Sequence, residues 1–332
     1  MAESSWWPPT RDSAATVVRW GVSLILLGAL AFFVDLQEVY RILQSADLLL
    51  LGGAVGVSLV DRLLMAGKWF PLLRVQLPNV EVGRAVRAYF AAGVAEFFLP
   101  SHSGDVFRSL GLGRDHNSIV EVGASIVVER LLGLIATGIV VLLVLWVALN
   151  TTIPMAILLP WALACVGVSV LVTVLPFSSY VRRQFKKALS RFGGGRWTRL
   201  IERFGKAYQM YWGHSWTLFV VGFLSLVQQF VPVLIFWVGA RALHLDLSLV
   251  SIFVAVPLTF FLARLPISVA GLGIVEGGLT YLLGLFGAEA SQAISLALAG
   301  RVVRLSTLLP GLFWWEELVG KETWVEWEGR YW

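Results

Sequence analysis

A run of 51 consecutive residues without a charged side chain constrains the fold of this chain more than any other feature. The run covers residues 131–181, and the segment 150–154 (NTTIP) provides a turn within it. A membrane-spanning helix needs about 20 consecutive apolar residues, so the run is long enough for two spans. The whole chain is 58% hydrophobic and 14% charged, whereas soluble domains carry about 25% charged residues. The sequence therefore predicts an all-α polytopic membrane protein, with residues 1–332 forming one integral membrane domain.

Six apolar stretches are long enough to cross a membrane. They lie near residues 16–34, 47–70, 118–149, 154–177, 214–242 and 290–315. The first stretch has features of a signal peptide, with residues 29–31 (ALA) as a cleavage site. However, apolar residues continue beyond that site, and Glu3 and Asp12 precede it. We therefore expect an uncleaved first span.

Two further segments are apolar but interrupted. Residues 84–113 break near Pro100, and residues 248–286 break near Pro266. Non-helical backbone at membrane depth is tolerated only where it is buried in protein or lines a water-filled cavity. The breaks therefore predict two broken re-entrant hairpins, and the alternative at each place is an ordinary surface turn between short helices.

The two breaks occupy matching positions in the two halves of the chain. Pro100 and Pro266 are 166 residues apart, which is half of the 332 residues. Each half, residues 16–149 and residues 154–315, contains three spans and one hairpin. Because three is an odd number, the halves have opposite orientations and their hairpins enter from opposite faces. This arrangement is an inverted repeat, which is typical of secondary transporters that bind substrate near the midplane.

The charge distribution between spans predicts the orientation. Residues 178–213 contain nine Lys or Arg residues and one acid, Glu202. Short loops rich in Lys and Arg stay on the cytoplasmic side. We therefore expect a basic cytoplasmic loop at 178–213, both termini in the cytoplasm, and a location in the cytoplasmic (inner) membrane. The same loop could contact anionic lipid headgroups.

Ionisable residues at membrane depth need a partner, because a charge at the centre of a span costs about 2.5–3.5 kcal/mol. They occur in three spans and beside both breaks: Asp61, Arg62, Lys68, Glu96, Asp105, Arg108, Glu129, Arg130, Arg264, Glu276, Arg301 and Arg304. Pairing of acids with bases on other helices is one explanation. An anion is the other, and it fits Arg301 and Arg304 best, because they share one helix face and have no acid close in sequence. The planar guanidinium fork also suits phosphate.

Helices that restart after Gly104 and Gly273 would add a second kind of anion contact. The first turn of a helix has free backbone N–H groups and the positive end of the helix dipole. Hydroxyl groups near the breaks could add further donors, from Ser101, Ser103 and Ser268. Asp105 and Glu276 lie at the same helix starts, where each could cap the helix or carry a proton, and both roles stay open.

The chain lacks the motifs of several enzyme classes. It contains no G-K-[ST] sequence, which excludes a P-loop ATPase, and no G-x-S-x-G or H-E-x-x-H motif. Its four histidines are scattered without metal-ligand spacing. We expect neither catalysis nor a cofactor, and neither a metal nor a nucleic-acid partner.

Several of these residues form a pattern that resembles the lysylphosphatidylglycerol synthase transmembrane family, also called flippase-like domain proteins. The pattern consists of Asp61-Arg62 with Lys68-Trp69, Phe98-Leu99-Pro100 with Gly104-Asp105 and Arg108, Glu129-Arg130-Leu131-Leu132-Gly133-Leu134, and Pro266 with Gly271-Leu272-Gly273 and Glu276-Gly277. The resemblance covers roughly residues 15–315, nearly the whole chain.

The resemblance implies a membrane module that moves lipids between the two leaflets. In the best-known members the lipid is aminoacylated phosphatidylglycerol, made by an attached cytoplasmic aminoacyltransferase domain. Only 17 residues follow Trp315, so we expect this chain to lack that domain. Stand-alone members are candidates for moving other anionic, polyprenyl-phosphate or glycan-linked lipids.

Together these features predict a lipid translocase that works by alternating access, with membrane lipids as its partners. The residues expected to bind the headgroup are Arg62, Lys68, Pro100, Ser101, Ser103, Gly104, Asp105, Arg108, Glu129, Arg130, Arg264, Pro266, Ser268, Gly271, Gly273, Glu276, Arg301 and Arg304. Four acids are expected to exchange partners or couple transport to an ion: Asp61, Asp105, Glu129 and Glu276. Two alternatives stay open, a secondary carrier of a small soluble anion and a membrane subunit that presents lipid to a partner transferase.

Overall fold

The computed structural model describes residues 34–98, 103–115, 118–149, 155–174, 195–264, 268 and 270–315, together with residues 21, 22, 24, 25 and 28. Within these residues the regular structure is entirely helical. The helices are α1 Leu36–Gln44, α2 Leu48–Gln76, α3 Val82–Phe98, α4 Ser103–Asp115, α5 Ile119–Ala148, α6 Met155–Val174, α7 Gly195–Met210, α8 Ser215–Gln228, α9 Val231–Ala242, α10 Leu249–Ala263, α11 Ile274–Gly284, α12 Ala290–Ser306 and α13 Leu309–Phe313.

Four helical stretches in this part of the chain are long and apolar enough to cross a membrane. They are Leu48–Gln76, Ile119–Ala148, Ser215–Ala242 and Ala290–Phe313. The apolar helix α6 occupies the predicted span 154–177, whereas the predicted span 16–34 lies almost entirely outside the described residues. Large apolar side chains such as Leu142, Trp146 and Phe219 are more than half exposed, which suits a lipid-facing surface. The prediction of an all-helical polytopic membrane protein is confirmed.

Both interrupted segments form pairs of short helices that pack against each other. In the first pair, α3 ends at Phe98 and α4 begins at Ser103. The two helices come so close that a Cβ atom on Gly104 would lie 2.7 Å from the carbonyl oxygen of Ala92. Glycine is therefore required for the contact. The predicted break residue Pro100 lies outside the described residues.

The second pair is α10 and α11, with the reversal just before α11. Ala270, Gly271 and Gly273 all have positive φ angles, of 49°, 71° and 80°. This left-handed backbone turns the chain sharply, and glycine adopts it without steric cost. Pro266, like Pro100 and Ser101, lies outside the described residues.

The connections between helices place the two hairpins at opposite ends of the bundle. The start of α2 lies beside the end of α9, where the Asp47 N–H donates to the Ala242 carbonyl at 2.8 Å. At the other end, the Gln76 side-chain amide donates to the Ala207 carbonyl at 2.7 Å, so α7 covers the end of α2. The hairpin α3–α4 follows α2 and precedes α5, so its base is at the α7 end. The hairpin α10–α11 follows α9 and precedes α12, so its base is at the opposite end.

Two segments differ in detail from the sequence-based expectation. The predicted span 214–242 is interrupted after Gln229, and α9 restarts with Pro232 in its first turn. Proline is well tolerated there, because the first N–H groups of a helix have no intrahelical acceptor. The predicted basic loop contains the helix α7, and its part at 178–194 lies outside the described residues.

Each hairpin belongs to its own group of buried apolar side chains. The larger group joins α5 and α6 with α9 to α12, with Leu279 and Leu296 fully buried at its centre. The smaller group joins α2 to α5 around Trp69. The polar residues described next lie where these two groups meet on α5.

A candidate anion site between the hairpins

A network of two acids and two arginines holds the first hairpin to α5. Asp105 on α4 accepts from Arg108 at 2.6 Å, and it receives two hydrogen bonds from Arg130 on α5, at 2.9 Å and 3.1 Å. Arg108 donates its second Nη to Glu129 at 3.0 Å. Charge-assisted bonds of this kind are about twice as strong as neutral ones. The network therefore fixes the position of the first hairpin.

Arg108 is enclosed on both faces by aromatic rings. Its guanidinium carbon lies 4.7 Å from the ring centre of Trp69 and 4.7 Å from that of Tyr89. The residue is only 3% exposed, and Trp69 is fixed by a 3.0 Å hydrogen bond from its Nε1 to the hydroxyl of Ser125. Stacking of this kind stabilises a desolvated arginine. Arg108 thus has all its faces occupied by protein.

Arg130 is placed differently, because it faces a crevice. Its side chain is 42% exposed although Asp105 holds one edge of its guanidinium. The crevice has an empty volume of about 210 Å³ and is open on one side. Its lining is polar at the base, from Arg62, Tyr89, Ala92, Gly93, Glu96, Gly104, Asp105, Arg108 and Arg130. A small anionic group entering the crevice would meet the free edge of Arg130.

Arg62 enters the same crevice from α2. Gly93 on α3 makes room for it, since a Cβ atom there would collide with Nη1 of Arg62. The Nε of Arg62 lies 3.4 Å from the hydroxyl of Thr307. Glu96 interacts electrostatically with Arg62, Arg130 and Arg304. Three helices thus direct arginines towards Glu96.

The second hairpin carries a separate ion pair. Glu276 at the start of α11 accepts from Nε of Arg301 and, at 3.1 Å, from its Nη2. Arg301 also donates to the Gly271 carbonyl at 3.1 Å, and the Gly273 N–H donates to Glu276 at 2.8 Å. Glu276 therefore caps its own helix, and Arg301 is engaged with the tip of its own half. The sequence-based expectation that Arg301 has no acidic partner is wrong, because the fold brings Glu276 to it.

Arg264 extends from the end of α10 towards α5. It donates to the hydroxyl of Thr137, and its Nη2 lies 3.4 Å from the side-chain oxygen of Gln229. Its guanidinium is exposed and, among the described residues, has no acid within ion-pair distance. Thr137 follows Arg130 by seven residues, which is about 10 Å along a helix. The two hairpins therefore reach α5 close to each other.

Arg304 on α12 lies one turn after Arg301 but has different surroundings. It is half-buried, and within the described part of the chain no hydrogen bond or ion pair reaches its guanidinium. Its electrostatic interactions are with Glu96 and Asp61, which attract it, and with Arg62 and Arg301, which repel it. The two arginines that share a face in the sequence therefore differ: one is paired and the other is available.

Asp61 and Lys68 lie on the side of α2 that packs against α8. Lys68 is 3% exposed, and its Nζ is 3.4 Å from the Ser225 hydroxyl. The Asp61 carboxylate interacts with the side chain of Gln228, and its Oδ1 is buried without a hydrogen-bond partner. These residues form a polar contact between α2 and α8, here called the α2–α8 seam.

The interior charges do not balance. Among the described residues, seven basic side chains at membrane depth lie with five acidic ones, so the interior carries two excess positive charges. The basic ones are Arg62, Lys68, Arg108, Arg130, Arg264, Arg301 and Arg304, and the acidic ones are Asp61, Glu96, Asp105, Glu129 and Glu276. Uncompensated charge in a low-dielectric interior is costly. An anion near Arg62, Arg264 and Arg304 would reduce that cost.

The predicted hydroxyl donors are less prominent than the arginines. Ser103 donates to the Ala95 carbonyl at 2.9 Å and closes the hairpin turn. Ser268 is buried, and its hydroxyl has no hydrogen-bond partner in the described part of the protein. The described residues contain no group of three or more His, Cys, Asp or Glu side chains placed to hold a metal ion.

Sequence reasoning missed several neutral partners of these charges. They are Trp69 and Tyr89 around Arg108, Thr137 and Gln229 at Arg264, and Gln228 at Asp61. Two adjacent glutamines in the middle of an apolar span were a usable signal, because a buried amide needs a hydrogen-bond partner.

Comparison with known proteins bears on what this site is for. No curated protein and no solved structure matches the chain. A family model does match, that of the lysylphosphatidylglycerol synthase TM region, over residues 18–311. This range includes both hairpins and every charged residue of the site. The chain belongs to the lysylphosphatidylglycerol synthase TM region family.

Proposed function

We propose that this protein is a lipid translocase that carries an anionic lipid headgroup between the leaflets of the membrane. Family membership links the chain with membrane lipids. The observation that carries the proposal is the excess of positive charge where the hairpins meet. Arg62, Arg264 and Arg304 lie there, and none has an acid within ion-pair distance among the described residues. A headgroup phosphate would supply the missing negative charge.

The contacts divide the predicted site arginines into two groups. Arg108 and Arg301 are held by protein partners on several sides and keep the hairpins in place. Arg62, Arg264 and Arg304 have free donors and are our candidates for direct headgroup contact. Arg130 belongs to both groups, since one edge binds Asp105 and the other faces the crevice.

The size of the crevice favours a headgroup over a whole lipid. Pockets that enclose a drug-sized ligand measure about 300–1,000 Å³, and the crevice of about 210 Å³ is smaller. It has room for a phosphate group while the acyl chains stay in the surrounding bilayer. A small soluble anion would also fit, so the experiment below includes one.

Alternating access would follow from exchange of ion-pair partners. Asp105, Glu129 and Glu276 hold arginines in the present conformation, and a bound phosphate would compete for them. The proposal places the protein in the inner membrane, with the α7 end and both termini in the cytoplasm. A partner transferase that makes the lipid would then meet the basic α7 end.

The test is translocation by the purified protein in vesicles. Vesicles carry a fluorescent anionic phospholipid, and a membrane-impermeant quencher reports how fast the label leaves the outer leaflet. Arg264→Gln and Arg304→Gln should each slow translocation by about tenfold, the loss of about 1.4 kcal/mol expected for a charge-assisted bond. The matched control is Arg41→Gln, because Arg41 is an exposed surface residue paired only with Glu38. Wild-type rates in both interior variants would refute the site.

Two further measurements identify the substrate. Mass spectrometry of the lipids retained by the purified protein should show one anionic or polyprenyl-phosphate lipid enriched over the host membrane. That enrichment should disappear in the Arg264→Gln, Arg304→Gln double variant. Uptake of labelled inorganic phosphate into the same vesicles tests the soluble-anion carrier. Phosphate uptake without any lipid movement would replace the translocase proposal with that alternative.

A further inference from the structure

Asp61 differs from the other acids that the sequence marks as coupling residues. Asp105, Glu129 and Glu276 each accept hydrogen bonds from an arginine. Asp61 has no cation within ion-pair distance among the described residues, and its Oδ1 is buried without a partner. Its closest polar contact is the neutral side chain of Gln228 on α8.

The chemistry of that contact suits a group that changes protonation state. An arginine can only donate hydrogen bonds, so it fits a carboxylate and opposes its protonation. A glutamine amide has both donors and an acceptor. Gln228 can therefore donate to the Asp61 carboxylate and can equally accept from a protonated carboxylic acid.

Lys68 has the same kind of partner. The Ser225 hydroxyl can accept from an ammonium group and can donate to a neutral amine. Asp61 and Lys68 are seven residues apart, so they lie two turns apart on one face of α2. Ser225 and Gln228 are three residues apart on one face of α8. The α2–α8 seam thus places two ionisable groups opposite neutral groups that tolerate either charge state.

The seam lies beside the candidate anion site. The charged groups that act on Asp61 are Lys68 and Arg62 on its own helix and Arg304 on α12. Those that act on Lys68 are Asp61, Glu129 and Arg130 on α5, and Arg264 at the end of α10. Neutralising Asp61 would remove a negative charge next to Arg304 and raise the excess positive charge from two to three.

We propose that Asp61 is the site where this protein binds one proton in each transport cycle. The inference rests on the proposed translocase function. The carboxylate takes up a proton to become a carboxylic acid and returns it unchanged on the other side, so no other reactant is needed. Because protonation leaves Arg304 without its nearby acid, a bound proton strengthens anion binding, and the anion strengthens proton binding equally. The proton and the anionic headgroup therefore move in the same direction.

The first test measures proton binding directly, without transport. Infrared difference spectra between acidic and alkaline buffer are recorded for the purified protein in lipid nanodiscs. Wild type should show the C=O band of a protonated carboxylic acid, and Asp61→Asn should lose one carboxyl equivalent of it. The matched control is Asp246→Asn, because Asp246 is exposed in the loop before α10. A band of full intensity in Asp61→Asn would overturn the proposal.

A second variant keeps the test informative if Asp61→Asn fails to fold. Gln228→Leu removes the partner and leaves the carboxyl group in place. It should shift the midpoint of the carboxyl band by about one pH unit. An unchanged midpoint would show that Gln228 and Asp61 are not a working pair and would overturn the proposal.

Transport under a pH gradient completes the test. Wild-type vesicles should move the anionic lipid several-fold faster with a proton gradient in the direction of lipid movement than without one. Asp61→Asn should still move lipid but should respond less than twofold to the gradient. If wild type moves no lipid, the translocase proposal fails, while the infrared result still decides whether Asp61 binds a proton. A full gradient response in Asp61→Asn would overturn the coupling role.

Discussion

Arg108 and Arg304 should respond in opposite ways to the same substitution. Both are arginines at membrane depth, and sequence reasoning places both in the headgroup site. In the structure Arg108 is 3% exposed and bound by Asp105 and Glu129, whereas no ion pair reaches Arg304 in the described part of the chain. We therefore expect Arg108→Gln to damage the fold and Arg304→Gln to damage transport.

The magnitudes follow from what each substitution leaves behind. Arg108→Gln leaves Glu129 buried without its arginine, and breaking a buried ion pair costs about 3–5 kcal/mol. Loss of the contacts with Trp69 and Tyr89 adds about 0.5–2 kcal/mol for each ring. Arg304→Gln removes an unpaired charge that Arg62 and Arg301 repel. Its stability should therefore stay within about 1 kcal/mol of wild type.

The assay is equilibrium unfolding in mixed lipid–detergent micelles, followed by tryptophan fluorescence. Arg41→Gln, at an exposed surface pair, sets the effect of losing an arginine with no interior role. The three variants should fall in the order Arg41→Gln and Arg304→Gln close to wild type, and Arg108→Gln far below. Equal destabilisation by Arg108→Gln and Arg304→Gln would refute the division between structural and binding arginines.

Two further predictions concern single side chains near the site and at the α7 end. Gly93→Ala should displace Arg62, because the new Cβ takes the place of its Nη1; lipid translocation should fall several-fold while the unfolding free energy changes by less than about 1 kcal/mol. Burial raises the pKa of Tyr211, whose hydroxyl donates to the Leu72 carbonyl at 2.9 Å. The folded protein thus favours the neutral phenol, so its stability should fall as the pH rises above about 10, the usual pKa of tyrosine. Tyr211→Phe should lose about 1 kcal/mol at neutral pH and show a smaller alkaline fall in unfolding experiments.

The spans and hairpins could be predicted because their signals are local. Apolar length marks α2, α5 and α12, and short apolar stretches around a proline mark the two hairpins. Side-chain partners could not be predicted in the same way, because they depend on how helices meet. Arg301 and Glu276 are 25 residues apart, and the close approach of α11 and α12 decides their pairing. Arg304, one turn later, faces Glu96 of the first hairpin instead.

Neutral polar residues were the main omission. Charged residues in apolar spans attract attention because of their large transfer cost, whereas glutamine and threonine are common and inexpensive. Gln229 nevertheless links Arg264 to Thr137, and it donates to the Thr137 hydroxyl at 3.0 Å. The proline at 232 marked the helix restart beside it and would have pointed to this contact.

The helix α5 connects both hairpins to the proposed transport step. Asp105 of the first hairpin binds Arg130, and Arg264 beside the second binds Thr137, seven residues further along. A ligand shifts a conformational equilibrium only through its different affinity for the two states. A headgroup phosphate has that property here, because it can replace Asp105 at Arg130 and so release the first hairpin from α5. It would at the same time attract Arg264, so binding of one anion would loosen one hairpin and draw in the other.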